Sequence, residues 1–110
     1  MRLQVFFYRT GSGAEPVREW LKGLSRDDSK IIGEDIKTVQ FGWPLGMPLV
    51  RKMEPGLWEV RVSLDKRIAR IFFTANNGLL VLLHGFIKKS QKTPANDLKI
   101  ARQRMLTLGG

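Results

Sequence analysis

One stretch constrains the fold of this chain more than any other. Asn76-Asn-Gly78 is followed by Leu79-Leu-Val-Leu-Leu-His-Gly-Phe-Ile-Lys-Lys-Ser-Gln-Lys-Thr-Pro94. Asn-Gly between two apolar runs is a tight-hairpin signal, because both central residues must take positive φ. The apolar run behind it falls short of the ~18 residues a membrane span needs. It reads as a strand buried on both faces, and such strands sit inside a sheet. It delivers Lys88, Lys89 and Lys92 from the core to one rim.

The rest of the chain supplies the neighbours. Leu3 to Tyr8 is rich in β-branched and aromatic residues and reads as a first strand. Ser12 and Glu15 have capping-box spacing, and Val17, Trp20, Leu21 and Leu24 share one helical face. Ser25 starts a second helix, with Asp27 and Asp28 at its positive end as dipole partners rather than a metal pair. Ile32, Ile36 and Val39 form its buried stripe, and Gly42 and Pro44 end it. The link 42–48 is too apolar for a solvated linker, and Trp43 is expected to pin it. Leu49 to Met53, Leu57 to Leu64, Arg67 to Ala75 and the opening stretch form an antiparallel meander, since each link is too short for a crossover. Thr93 and Pro94 open a third helix, with Leu98, Ala101, Met105 and Leu108 on its apolar side. The expected fold class is α+β, a small antiparallel sheet in the order β-α-α-β-β-β-β-α with a two-helix hairpin on one face. Residues 1–110 read as a single domain.

Charge narrows the function. Nineteen Lys and Arg against ten Asp and Glu give a net charge of +9, which suggests an anionic partner. With no cysteine and one histidine, His84, neither a thiolate nor a histidine-rich metal site is available, and no metal or other cofactor is expected. Met1 to Tyr8 does not read as a signal peptide, and no run spans a membrane; the expectation is a cytoplasmic protein without a membrane partner.

Strand alternation locates the cations. Trp58, Val60, Val62 and Leu64 fall on one side of their strand, and Glu59, Arg61 and Ser63 on the other. In the next strand Ala69, Ile71 and Phe73 oppose Ile68, Arg70 and Phe72. If the helix hairpin covers the apolar side, Arg61 and Arg70 share the other side, and the lysines after residue 87 close over the same concavity. Two guanidiniums and several ammoniums suit a phosphodiester and the charge that builds on it during cleavage, with Phe72 and Phe86 as stacking surfaces. The plainer reading pairs Arg61 and Arg70 with Glu59 or Asp65 on a solvated face. It makes the lysines guards of a strand end and His84 a hydrogen-bonded core residue. Trp20, Trp43 and Trp58 read as core.

Four segments carry a family resemblance: Phe41-Gly-Trp-Pro-Leu-Gly-Met-Pro48, Gly56-Leu-Trp-Glu-Val-Arg61, Arg70-Ile-Phe-Phe73 and Leu82-Leu-His-Gly-Phe-Ile-Lys-Lys-Ser-Gln-Lys-Thr-Pro94. In this order they resemble the phage-derived, HigB-like branch of the RelE/ParE toxin superfamily, over nearly the whole chain. The resemblance implies a RelE-like fold and the toxin of a bacterial toxin–antitoxin pair, an endoribonuclease that cuts mRNA in the ribosome by 2′-hydroxyl transphosphorylation. It implies a helix-turn-helix antitoxin, the ribosome and mRNA as partners, and no small-molecule cofactor. Matched onto this chain, Arg61, Arg70, the lysines after residue 87 and Lys52 or Arg51 take the family's basic positions; the candidate catalytic residues are Arg61, Arg70, Lys88 and Lys89, and the candidate RNA-binding residues are Arg51, Lys52, Lys92, His84 and Phe86. The final residues 105–110 lack the aromatic or histidine that several relatives carry there, which leaves acid–base work to a lysine or His84, or leaves catalysis to positioning and charge alone. Two other readings stay open: a non-enzymatic, ParE-like gyrase inhibitor, and a non-toxic phage nucleic-acid-binding module.

Overall fold

The meander closes into a sheet whose two faces are covered unequally. The computed structural model describes residues 3–88 and 94–108. Its elements are β1 (Gln4–Phe7), α1 (Pro16–Lys22), α2 (Arg26–Gly42), β2 (Val50–Glu54), β3 (Leu57–Leu64), β4 (Arg67–Asn76), β5 (Leu79–Ile87) and α3 (Ala95–Leu108). The strands lie in the order β1-β5-β4-β3-β2. Strands β2 to β5 pair antiparallel, and β1 adds to β5 in parallel. The β4–β5 turn has Asn77 at φ 52° and Gly78 at φ 79°, the positive values its Asn-Gly sequence demands. This is the α+β architecture, consistent with a RelE-like fold, that the hydrophobic pattern leads one to expect.

Helices α1 and α2 cover one face. Val17, Ile32, Ile36 and Val39 pack on Val60, Val62, Ala69, Ile71, Phe73, Leu80 and Leu82. Trp43 meets Trp58 edge-on at 4.9 Å and Phe73 at 5.4 Å, which ties the apolar link to the core. Ser25 caps α2, its Oγ accepting from the Asp28 amide at 3.1 Å. Ser12 does not cap α1. The helix opens at Pro16, after Glu15, and Ser12 Oγ lies 3.0 Å from Thr10 Oγ1 instead. A cap at Ser12 would put Pro16 fourth in the helix, where its missing N–H would remove the first intrahelical bond; as the first residue it costs nothing. Glu15 is bound by Arg18 and Arg9, and the Arg18 hydrogen bond above all holds its carboxyl below the usual range.

Helix α3 takes part of the opposite face, which the sequence reading leaves open. Ala101 is buried with Leu57, Phe72 and Leu83, and Leu98 and Met105 pack beside them. Leu108, expected on the same stripe, is exposed. Arg102 grips Glu54 of β2 with two hydrogen bonds of 2.8 and 2.9 Å, which lower the Glu54 carboxyl below its ordinary value. Pro94 stands one residue before α3 rather than in its first position, its carbonyl accepting from the Leu98 amide. Thr93, the expected cap, lies outside the described residues.

Gly85 of β5 faces α1. A Cβ there would collide with the Trp20 ring. Gly85→Ala is expected to lower stability by about 1–3 kcal/mol, the usual cost of overpacking. A urea midpoint equal to the parent's would mean that the Trp20 ring moves aside freely.

Candidate functional site

Cross-strand register builds the site in two rows on the face that α3 shares. The first row runs Arg51, Glu59, Phe72, His84 across β2, β3, β4 and β5; the second runs Arg61, Arg70, Phe86 across β3, β4 and β5. Directly opposed residues project to the same side of a sheet, so these residues form one patch. A β-bulge decides this. Phe73 pairs with Leu82 and Phe72 with His84, leaving Leu83 as an extra residue. Without it, alternation from Leu80 and Leu82 would send His84 and Phe86 toward α1 and α2. With it, both join the arginines. The Leu83 carbonyl at the bulge accepts from Arg104 of α3 at 2.7 Å. Arg104 also lies 5.5 Å from the Tyr8 ring, and burial pushes its guanidinium below the ordinary value.

The two arginines differ in exposure. Arg70 is buried and ion-paired with Glu59, which is fully buried. Its guanidinium lies 5.6 Å from the Phe86 ring and 6.0 Å from Phe72. Glu59 Oε1 has no hydrogen-bond partner among the described residues and lies 3.8 Å from Arg61 Nε. Arg61 keeps 32% of its side chain accessible and its backbone amide donates to the Leu49 carbonyl at 2.9 Å. A buried carboxylate thus holds one guanidinium from below and attracts the second at its edge. The pairing with Glu59 is the plainer sequence reading, but it lies in the interior rather than on a solvated face.

The remaining candidates separate. His84 Nε2 lies 2.6 Å from Asp97 Oδ1 in the first turn of α3, and its ring stacks on Phe86 at 5.7 Å between centroids. Phe86 is half-buried at the end of the patch. Phe72 is fully buried beneath α3, so it cannot stack on a base; the alternation was right, but the covering helix removes access. Arg51 and Lys52 part company: Arg51 opposes Glu59 on the patch, and Lys52 opposes Trp58 on the other face. Lys88 is half-buried, its amide donating to the Ile68 carbonyl at 2.8 Å. Lys89 and Lys92 lie outside the described residues. Glu59 as a buried counter-ion and Asp97 as the partner of His84 escape sequence reading. Glu59 alternates like a surface residue, and Asp97 looks like any acid in a first helical turn.

The arrangement suits an anion. An accessible guanidinium offers paired N–H donors in the geometry of a phosphate, held over a buried ion pair with an aromatic edge beside it. Among the described residues, no three His, Asp or Glu side chains gather as metal ligands, and no helix is long and apolar enough to cross a membrane. Comparison with curated proteins finds no match. A family model described as phage-derived protein Gp49-like (DUF891) matches residues 19–106, from within α1 almost to the end of α3 and across the whole patch. The chain belongs to the phage-derived Gp49-like family.

Proposed function

We propose that this protein is the toxin of a bacterial toxin–antitoxin pair, a ribosome-dependent endoribonuclease of the RelE/HigB kind that cuts mRNA without a metal. The observation that carries the reading is Arg61, accessible at the rim of a patch whose floor is the buried Glu59–Arg70 pair. Membership in the Gp49-like family supports a toxin-like activity.

In this reading the patch orients an RNA 2′-hydroxyl against its own neighbouring phosphate. The 2′-oxygen bonds to phosphorus, its proton passes to a base, and the bond from phosphorus to the 5′-oxygen breaks as that oxygen takes a proton. Arg61 stabilises the charge on the non-bridging oxygens as it develops, and Arg70, fixed by Glu59, orders the patch beneath it. The base is Lys88 or Lys89, with His84 as the next candidate. Arg51, Lys92 and Phe86 guide the strand. A helix-turn-helix antitoxin with acidic side chains neutralises the patch, and association with it is fast and salt-sensitive.

Induction in bacteria is expected to stop translation, with cut sites mapping inside coding regions and carrying 2′,3′-cyclic phosphate and 5′-hydroxyl ends. Ends with a 5′-phosphate would contradict 2′-hydroxyl attack. Equal cutting of naked and ribosome-bound RNA would contradict the ribosome dependence. Loss of DNA supercoiling before translation fails would favour gyrase as the target.

A further inference from the structure

Arg61 also borders a groove that the patch does not use. The β2–β3 ladder ends with the bond from the Arg61 amide to the Leu49 carbonyl, so residues 62–64 of β3 form an open edge. Between this edge and α2 runs a groove of about 460 Å³, within the range of small-ligand sites. Ile31, Leu49 and Ile68 make its apolar walls; Arg61 and Ser63 enter from β3 and Asp35 from α2. Asp35 has no hydrogen-bond or ion-pair partner among the described residues. Burial, and then the charge of Glu34, push its carboxyl above the ordinary value. Arg61 has its ion-pair contact with Glu59, so Arg61 and Asp35 share the groove without joining.

A carboxylate unpaired among the described residues, apolar walls and an accessible guanidinium in one groove match a ligand with paired N–H donors, a flat apolar body and an anionic group. We infer that the groove is a nucleotide subsite that selects guanine through Asp35 while Arg61 holds the attached phosphate. The two oxygens of a carboxylate accept side by side from guanine N1–H and its exocyclic amine. Adenine and cytosine each offer one amine, and so one such bond. This inference rests on the RNA-cleaving reading and extends it to base preference.

The test is a nuclear magnetic resonance titration of the full chain with guanosine 3′-monophosphate and, separately, adenosine 3′-monophosphate. Guanosine monophosphate is expected to shift the amides of residues 31–35 and 61–63 and to bind about tenfold more tightly or better, the discrimination of one good bidentate pair. Asp35→Asn is expected to lose that preference. It breaks no hydrogen bond and relieves repulsion with Glu34, so its melting temperature is expected to match or exceed the parent's. Arg61→Ala is expected to weaken both nucleotides alike. Equal affinity for the two nucleotides, an unchanged preference in the Asp35 variant or no binding at millimolar nucleotide would each overturn the subsite. No ribosome or cleavage enters this measurement. Guanine selection by a protein that cuts no RNA would overturn the RNA-cleaving reading and leave the subsite standing.

Discussion

Arg61→Ala is expected to cut RNA cleavage about a hundredfold or more while the protein stays folded. The rate loss is that of removing one donor that binds more strongly as charge builds in the transition state. The fold survives because the side chain projects from the sheet rather than into it. Its backbone bond to Leu49 remains, and Glu59 keeps Arg70 as its counter-ion. Loss of a partly exposed charge contact of 3.8 Å should cost no more than about 1 kcal/mol. Arg61→Lys keeps the charge but not the planar fork, so an intermediate rate is expected. Growth arrest on induction and thermal unfolding, measured on the same variants, check both halves. A folded alanine variant that remains fully toxic would remove Arg61 from the mechanism and shift the chemistry to Lys88 and its neighbours.

Glu59→Ala should have the opposite profile, failing first in stability. It leaves the Arg70 guanidinium, 5% exposed, without its counter-charge. Breaking a buried ion pair from one side typically costs about 3–5 kcal/mol, a large part of the ~5–15 kcal/mol that holds a small domain together. Replacing both partners, as Glu59→Met with Arg70→Met, should recover most of the loss, because no buried charge then remains unpaired. The recovered protein is still expected to cut RNA poorly, since the Glu59 carboxylate that positions Arg61 is gone. Urea unfolding of the two single variants and the double variant separates these effects. A loss below about 1 kcal/mol in Glu59→Ala would mean that water reaches Arg70 and that the pair is not interior.

The comparison of the two residues shows how the site is organised. Both lie on the same strand face, two positions apart, and alternation cannot tell them apart. Glu59 sits in the row that ends under α3, opposite Phe72. Arg61 sits one row further on, at the last bond across to the β2 side and next to the open edge. Stability and chemistry are thus divided between neighbours by how far each side chain is covered.

Much was legible in the chain. Period-two alternation over residues 57–75 set the faces of β3 and β4, because a strand with one face against a helix layer must keep its apolar set together. Asn77-Gly78 set a turn that few other residue pairs can adopt, and Ser25 set a helix start through one local hydrogen bond. Each depends on residues close in sequence. Three features came only with the tertiary structure. The bulge at Leu83 turns His84 and Phe86 toward the arginines, and no local pattern in an apolar run marks which residue is extra. Helix α3 buries Phe72 and brings Asp97 to His84, a contact set by where a distant helix docks. Glu59 and Arg70, from adjacent rows, pair in the interior rather than in water, because packing closes solvent off from both and leaves only Arg61 beside them accessible. Local chemistry determined which elements form and which way most side chains point; long-range packing decided which of those side chains meet, and which of them a ligand can still reach.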